Sequence, residues 1–500
     1  MASGMKNLAK DTAIYGLSSI VGRFLNWLLV PFYVRVFMEG DNGIITNIQA
    51  YVAITFVILT YGMETTFFRY VNKEEENSTT VYSTSLITLA TSSLLFLVCC
   101  FGFISPISSW MGYSNHHSYI LLMALTVAID AFCCIPFASL RNQKRPIRFA
   151  SIKILNIFSN IGFNLFFILA CPKIYQSSPE LISWFYDPGF GIGYVFVSNL
   201  LASLLSLLLL TPDYTGFRYR FDPDLLKRML RYTFPLLILG IAAVVNQTFD
   251  KMIFPHLFAN KAEADIQLGI YGACAKIAVV MTMFTQAFRY AYEPFIFSQT
   301  KDKGKETSYA MAMKYFIIFG LLIFLSVMFY MDIIKHFVTE NYFEGIKVVP
   351  IIMMAEIFFG IYFNLSLWYK LIDKTYFGAI FSIVGCVLII GINLIFIPIY
   401  GYIACAWASF WGNLIMMTLS YFVGQKHYPI KYEMKTIAFY FVLVLFLYAI
   451  GMFIPIDTVW LRLLFRTVLL GIFLFILIKK DLPLSDIPMI GKLVRNKKEK

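Results

Sequence analysis

The stretch Ile161-Gly162-Phe163-Asn164-Leu165-Phe166-Phe167-Ile168 recurs 229 residues later as Ile390-Gly391-Ile392-Asn393-Leu394-Ile395-Phe396-Ile397. At the same offset Ala150 and Ile154 meet Ala379 and Ile383. In so apolar a chain matched Ile and Phe carry little weight, whereas the shared Gly-x-Asn-Leu carries more. A second echo sets Pro31 before Gly43-Ile44, and Pro255 before Gly269-Ile270. The segments that follow end near Phe68-Arg69-Tyr70 and Phe288-Arg289-Tyr290. These echoes predict an internal repeat in which equivalent helices lie six apart and point the same way through a membrane, the parallel-repeat arrangement of many transporters.

The membrane itself is read from composition. Of 500 residues, 59% are hydrophobic and 14% charged, with a mean hydropathy of +0.71. A soluble domain carries about 25% charged residues. Apolar runs of about 20 residues, enough to cross roughly 30 Å of hydrocarbon, recur from end to end. They predict an all-α integral membrane protein of about fourteen transmembrane helices. The run Thr12 to Phe37 is too long for a signal-peptide core, lacks a small-residue cleavage site and contains Arg23, so it reads as a retained first helix. The expected organisation is an N-lobe of helices 1–6 over residues 1–212, a cytoplasmic amphipathic linker at 213–231, a C-lobe of helices 7–12 over 232–425, and helices 13 and 14 with a basic cytoplasmic tail at 426–500.

Loop charge sets the predicted orientation. With the N-terminus inside, the internal loops and tails hold 28 of the 41 Lys and Arg and the opposite loops hold 5. Such a bias in short loops places both termini in the cytoplasm. The net charge of +12 is then accounted for by anionic lipid at the inner leaflet, with no nucleic-acid partner required. In the linker, Asp222 and Pro223 suit the N-cap and first position of a helix. Leu225, Leu226, Met229 and Leu230 share a face, which predicts a short helix lying in the interface. The eight cysteines lie in or at the edge of apolar spans without a Cys-x-x-Cys pair, the pattern of small buried hydrophobes rather than of disulfides or metal ligands.

Eight Lys and Arg remain inside spans, and each costs at least about 2.5–3.5 kcal/mol at membrane depth unless it faces a cavity or a partner. Arg23 and Lys276 are the deepest. Lys251 and Lys153 complete the candidate substrate-binding set. Asp130, Asp250, Glu64 and Glu356 are candidate counter-ions or ion-coupling sites. Asp250 and Lys251 point about 100° apart on a helix and need not pair. Arg289 and Glu293 have i, i+4 spacing and read as a structural ion pair. Lys314 and Arg462 stand near span ends and are expected to snorkel. Deep cations outnumber deep anions, which predicts an anionic cargo.

Several motifs, taken in order, resemble a known family: Ala13-Ile14-Tyr15-Gly16 with Arg23 and Pro31-Phe32-Tyr33; Tyr61-Gly62-Met63-Glu64 leading to Phe68-Arg69-Tyr70; Asn246 to Lys251; Gly269-Ile270-Tyr271; Glu293-Pro294-Phe295; and Asn393 before Pro398-Ile399-Tyr400-Gly401. The chain resembles the polysaccharide-export branch of the multidrug/oligosaccharidyl-lipid/polysaccharide transporter superfamily, which contains the Wzx-type O-antigen flippases. That resemblance implies two six-helix lobes plus two helices, in a bacterial cytoplasmic membrane. It implies transfer of undecaprenyl-diphosphate-linked oligosaccharide (O-antigen, capsule or exopolysaccharide units) by alternating access. Membrane lipids, a polysaccharide polymerase and glycosyltransferases are the implied partners, and no cofactor or catalytic residue is expected. The competing reading is a multidrug or cation antiporter of the related MATE type, which needs acidic residues deep in the first half; Asp130 is the candidate there. A polymerase or ligase needs a large external catalytic loop, and the longest here, about 172–189, has no His.

Overall fold

The computed structural model describes residues 21–481, apart from 23, 74–75, 216–217, 299–304 and 373, with the side chains of 290–298 and 305 also left aside. The described residues form an all-helical bundle. Twelve helices are long and apolar enough to cross a membrane, and two shorter apolar helices accompany them. In chain order they are α1 (Phe24–Val36), α2 (Glu39–Val71), α3 (Ser78–Gly102), α4 (His117–Asn142), α5 (Pro146–Ser177), α6 (Gly193–Leu209), α7 (Pro223–Leu257), α8 (Lys261–Arg289), α9 (Glu306–Phe329), α10 (Glu340–Leu371), α11 (Tyr376–Tyr400), α12 (Tyr402–His427), α13 (Met434–Phe453) and α14 (Val459–Lys480). Local chemistry sets several ends. Asn77 accepts from the amides of Thr79 and Thr80 to start α3, and the left-handed Tyr61 and Gly62 break α2 before its last turns.

The linker expected at 213–231 is corrected by the structure. Asp222 does cap a helix, accepting from the amides of Asp224 and Leu225 at 2.9 Å. That helix does not end at Arg231; it continues to Ile253. Nothing between Arg231 and the apolar run breaks the backbone hydrogen bonding, and Pro235 is accommodated within the helix. Leu225 and Met229 are fully buried in a cluster with Met63, Phe67, Val81 and Ile135, while Leu230 stays exposed, so most of the apolar face of the segment lies on protein. The basic stretch is therefore the first turns of α7.

α2 and α8 make the closest crossing. A Cβ added to Gly43 would lie 1.8 Å from the Asp265 carbonyl oxygen, and one on Gly269 would lie 1.8 Å from the Glu39 carbonyl oxygen. Each glycine faces the carbonyl four residues before the other, so the contact is reciprocal, as a local two-fold relation requires. Small residues at a helix crossing permit this backbone approach in membranes. One turn on, a Cβ on Gly272 would meet Thr46 Oγ1 at 2.6 Å. The same end of the bundle is sewn together by polar contacts. Asn42 donates to Tyr342 Oη at 2.7 Å, Asn47 donates to the Lys251 carbonyl at 2.6 Å, and Lys261 donates to the Met111 carbonyl at 2.8 Å while lying over the Tyr113 ring. At the opposite end α7 makes the crossing: Thr66 and Thr233 share a hydrogen bond of 2.8 Å and Arg69 stacks on Tyr232.

The last two helices are tied to α9 by charge. Lys314 is buried and contacts Glu433 at 3.0 Å and Asp481 at 3.2 Å, so it does not snorkel as expected. Asp332 receives both Arg462 at 2.7 Å and Arg466 at 2.9 Å, and Arg466 also donates to the Gly451 and Phe329 carbonyls. Arg462 is thus held by a carboxylate.

Gly43→Val should displace α2 from α8 and cost about 1–3 kcal/mol of stability, the range for overpacking a close contact. Gly162→Val, where an added Cβ meets nothing within 4 Å, should be tolerated apart from a small helix-propensity change. Thermal unfolding of the solubilised protein checks this; equal unfolding temperatures for the two variants would contradict the crossing.

Candidate substrate cavity

Two polar cavities hold four of the charges singled out in the sequence, Lys276 in one and Glu64, Asp130 and Lys153 in the other. The first, about 300 Å³, lies beneath the α2/α8 crossing and takes its walls from α1, α2, α5, α6 and α8. Lys276 opens into it, seven residues along α8 from Gly269, and the residue is exposed. No described carboxylate lies within ion-pair distance of Lys276, although such a charge at membrane depth usually has a partner. Around it stand neutral polar side chains: Asn26, Tyr33, Asn42, Gln49, Asn160 and Asn199. Tyr33 donates to Asn164 Oδ1 at 2.8 Å, and Asn164 donates to Asn160 Oδ1 at 3.0 Å. Asn164, the centre of the repeated motif, is therefore a fully buried support for the cavity wall. It sits just before a π-helical turn at Phe166–Ala170, a device often found beside functional sites. Its counterpart Asn393 is equally buried, yet its amide atoms have no partner among the described residues.

The second cavity, about 320 Å³, lies within α2, α4, α5 and α6 and gathers Glu64, Asp130, Arg141 and Lys153. Asp130 accepts from Ser203 Oγ at 2.7 Å. Lys153 rests 4.0 Å from the centre of the Phe137 ring, a cation–π seat. Glu64 pairs with Arg141 and also accepts from Cys134 Sγ; the sequence reading had not included Arg141. Glu64 is thus engaged with a cation near the end of α4 rather than with a deep lysine.

Lys251 lies outside both cavities. It contacts Asp250 at 3.1 Å and donates to the Gln247 carbonyl at 2.9 Å, so the adjacent pair does join, because the long lysine stem folds back along its helix. Asp250 is buried and also accepts from Tyr271 Oη at 2.8 Å. Glu356 of α10 lies within electrostatic reach of Lys251. Asp250 and Lys251 of α7, Tyr271 of α8 and Glu356 of α10 therefore form one interacting group, in which Lys251 is already compensated by Asp250. Arg289 stacks on Phe363; the Glu293 side chain, and with it the expected pair, lies outside the described residues. Arg23 also lies outside them, three residues before the cavity wall at Asn26. Sequence reasoning missed the amides Asn26, Gln49, Asn160 and Asn199. Their signal was an Asn or Gln within each of four apolar runs.

The family profile described as polysaccharide biosynthesis protein matches residues 8–298. The chain belongs to this family. It is 21% identical over 296 residues to Lsg locus putative protein 1 of Haemophilus influenzae, covering 59% of this chain and 67% of that one. In fold it is similar to the lipid II flippase MurJ in an inward closed conformation, with a TM-score of 0.72 at 15% identity over 93% of this chain and 98% of that one. A multidrug resistance MATE family transporter in an inward-facing conformation superposes with a TM-score of 0.65 at 14% identity, over 81% of this chain and 94% of that one. The chain is thus a multi-pass membrane protein of the polysaccharide biosynthesis family, and its fold is shared with a lipid II flippase and a MATE transporter.

Two cations within the spans should respond oppositely to removal. Arg466→Met leaves Asp332 with Arg462 alone and takes their donor from the Gly451 and Phe329 carbonyls; it should cost about 1–3 kcal/mol, the usual loss on leaving buried polar groups unsatisfied, with a matching fall in unfolding temperature. Lys276→Met removes a charge that has no described carboxylate partner and should leave the unfolding temperature unchanged or raised. A comparable fall for Lys276→Met would mean that a partner holds it.

Proposed function

We propose that the protein is a flippase for undecaprenyl-diphosphate-linked oligosaccharide units, moving them across the bacterial cytoplasmic membrane by alternating access between two six-helix lobes, 1–212 and 232–425. The observation that carries this is Lys276, a cation exposed inside a cavity of neutral polar side chains, with no described carboxylate beside it. Phosphate oxygens supply the missing charge, while the lipid tail remains in the bilayer. Arg23 joins Lys276 in this reading, since a guanidinium fits phosphate oxygens in bidentate fashion. Lys153 offers a second cationic station, and Lys251 is assigned to the compensated group with Asp250. The reciprocal crossing of Gly43 and Gly269 suits a pseudo-two-fold between lobes. A polymerase and glycosyltransferases are the proposed partners in polysaccharide assembly. A MATE-type antiporter would use Asp130, but the cavity there holds Lys153 and Arg141 with Asp130 and Glu64, a balanced set rather than an acidic one.

In a deletion strain, Lys276→Ala and Arg23→Ala should each fail to restore surface polysaccharide while accumulating lipid-linked oligosaccharide, with protein abundance in the membrane little changed. Arg23→Lys should restore part of it, because the charge survives and the fork is lost. Normal export by both alanine variants at normal abundance would overturn the reading.

The proposed orientation has both termini in the cytoplasm and the Gly43 end outside. A single cysteine at Asn115 in a cysteine-free background should react with an impermeant maleimide in intact cells, and one at Lys144 should react only after permeabilisation. The reverse pattern would invert the topology.

A further inference from the structure

The cavity at Lys276 has a second chemical character that a diphosphate does not use. Asn26 of α1, Gln49 of α2 and Asn199 of α6 line it with no hydrogen-bond partner for their side chains among the described residues. Asn160 of α5 lends its Oδ1 to Asn164 and keeps both amide protons. Four separate helices thus aim primary amides at one space. A primary amide carries two donors and one acceptor, and in the membrane interior water is too scarce to satisfy it away from a cavity. Leu29 and Ile45 add apolar wall beside them.

This combination discriminates between ligand classes. An oxyanion accepts hydrogen bonds only, so the amide carbonyls would face negative charge. An organic cation needs a carboxylate, and none lines this cavity. A ligand that both donates and accepts, carries no charge and has an apolar face satisfies the whole set. We propose that Asn26, Gln49, Asn160 and Asn199 form a seat for an uncharged sugar ring, plain or N-acetylated, next to the phosphate position at Lys276. The seat makes the transporter selective for neutral over acidic sugars at the unit nearest the diphosphate. This rests on the flippase reading for its cargo, but the amides provide a separate handle. The cavity size, about 300 Å³, falls at the small end of ligand sites.

The test is calorimetric titration of the detergent-solubilised full chain with four probes: farnesyl diphosphate, the same lipid diphosphate bearing a neutral N-acetylated disaccharide, its counterpart bearing a uronic-acid disaccharide, and the lipid-free methyl glycoside of the neutral disaccharide. The neutral glycolipid should bind about 10-fold more tightly than farnesyl diphosphate, the yield of a few hydrogen bonds to otherwise unpaired amides. Asn199→Leu and Gln49→Leu should erase most of that gain and leave farnesyl diphosphate within about 2-fold. Lys276→Gln should weaken both lipids by a similar factor. Gln49→Glu, which keeps the side-chain shape, should also lose the neutral-sugar gain and guards against misfolding of the leucine variants. The proposal is overturned if the disaccharide adds no affinity, if the uronic form binds as well as the neutral one, or if the gain survives in every amide variant. Binding of both lipids that depends on Lys276 but not on the amides removes the sugar seat and keeps the flippase. Binding of the methyl glycoside that depends on the amides, with no lipid bound, keeps the seat and removes the flippase.

Discussion

Backbone contact between α2 and α8 is the constraint on which the arrangement depends. Gly43 and Gly269 each rest on a carbonyl of the other helix, so no side chain separates the two backbones there. Lys276 lies two turns beyond Gly269 on α8, at a cavity whose remaining walls come from α1, α2, α5 and α6. The crossing thus fixes two of the cavity's five walls. It also brings Asn42, Asn47 and Lys261 close enough to seal the same end.

The remaining charges divide by what surrounds them. Arg462, Arg466 and Asp332, together with Lys314, Glu433 and Asp481, attach α13 and α14 to α9 and are occupied in doing so. Asp250 and Lys251 neutralise one another, and Tyr271 donates to Asp250. Arg141 with Glu64 is a compensated pair. Among the described cations within the spans, those left are Lys276 among amides and Lys153 on the face of Phe137. A transporter has to offer its cargo interactions that other parts of the protein have not already taken. The amide lining meets that requirement for hydroxyl groups as Lys276 does for phosphate.

The sequence made the class of the protein legible through quantities that add up along the chain. Hydropathy and apolar run length needed no contacts, and the helices long and apolar enough to cross a membrane agree with them. Capping was local too, which is why Asp222 was read as a helix start. The same reading failed nine residues later. Whether Leu225 and Met229 face lipid or Phe67 depends on which helix arrives beside them, and periodicity gives only the face.

By itself, then, the sequence determined that this chain spans a membrane, where most of its helices lie, and that charges remain within the hydrophobic stretches. Only the tertiary structure decided which of those charges are neutralised. Lys251 and Lys276 are both lysines inside apolar runs, yet one folds onto Asp250 and the other enters a cavity. The amides of α1, α2, α5 and α6 are single unremarkable residues in four distant segments. Their meaning arises when packing brings those segments around one space, because an unpaired amide is informative only when its neighbours are known.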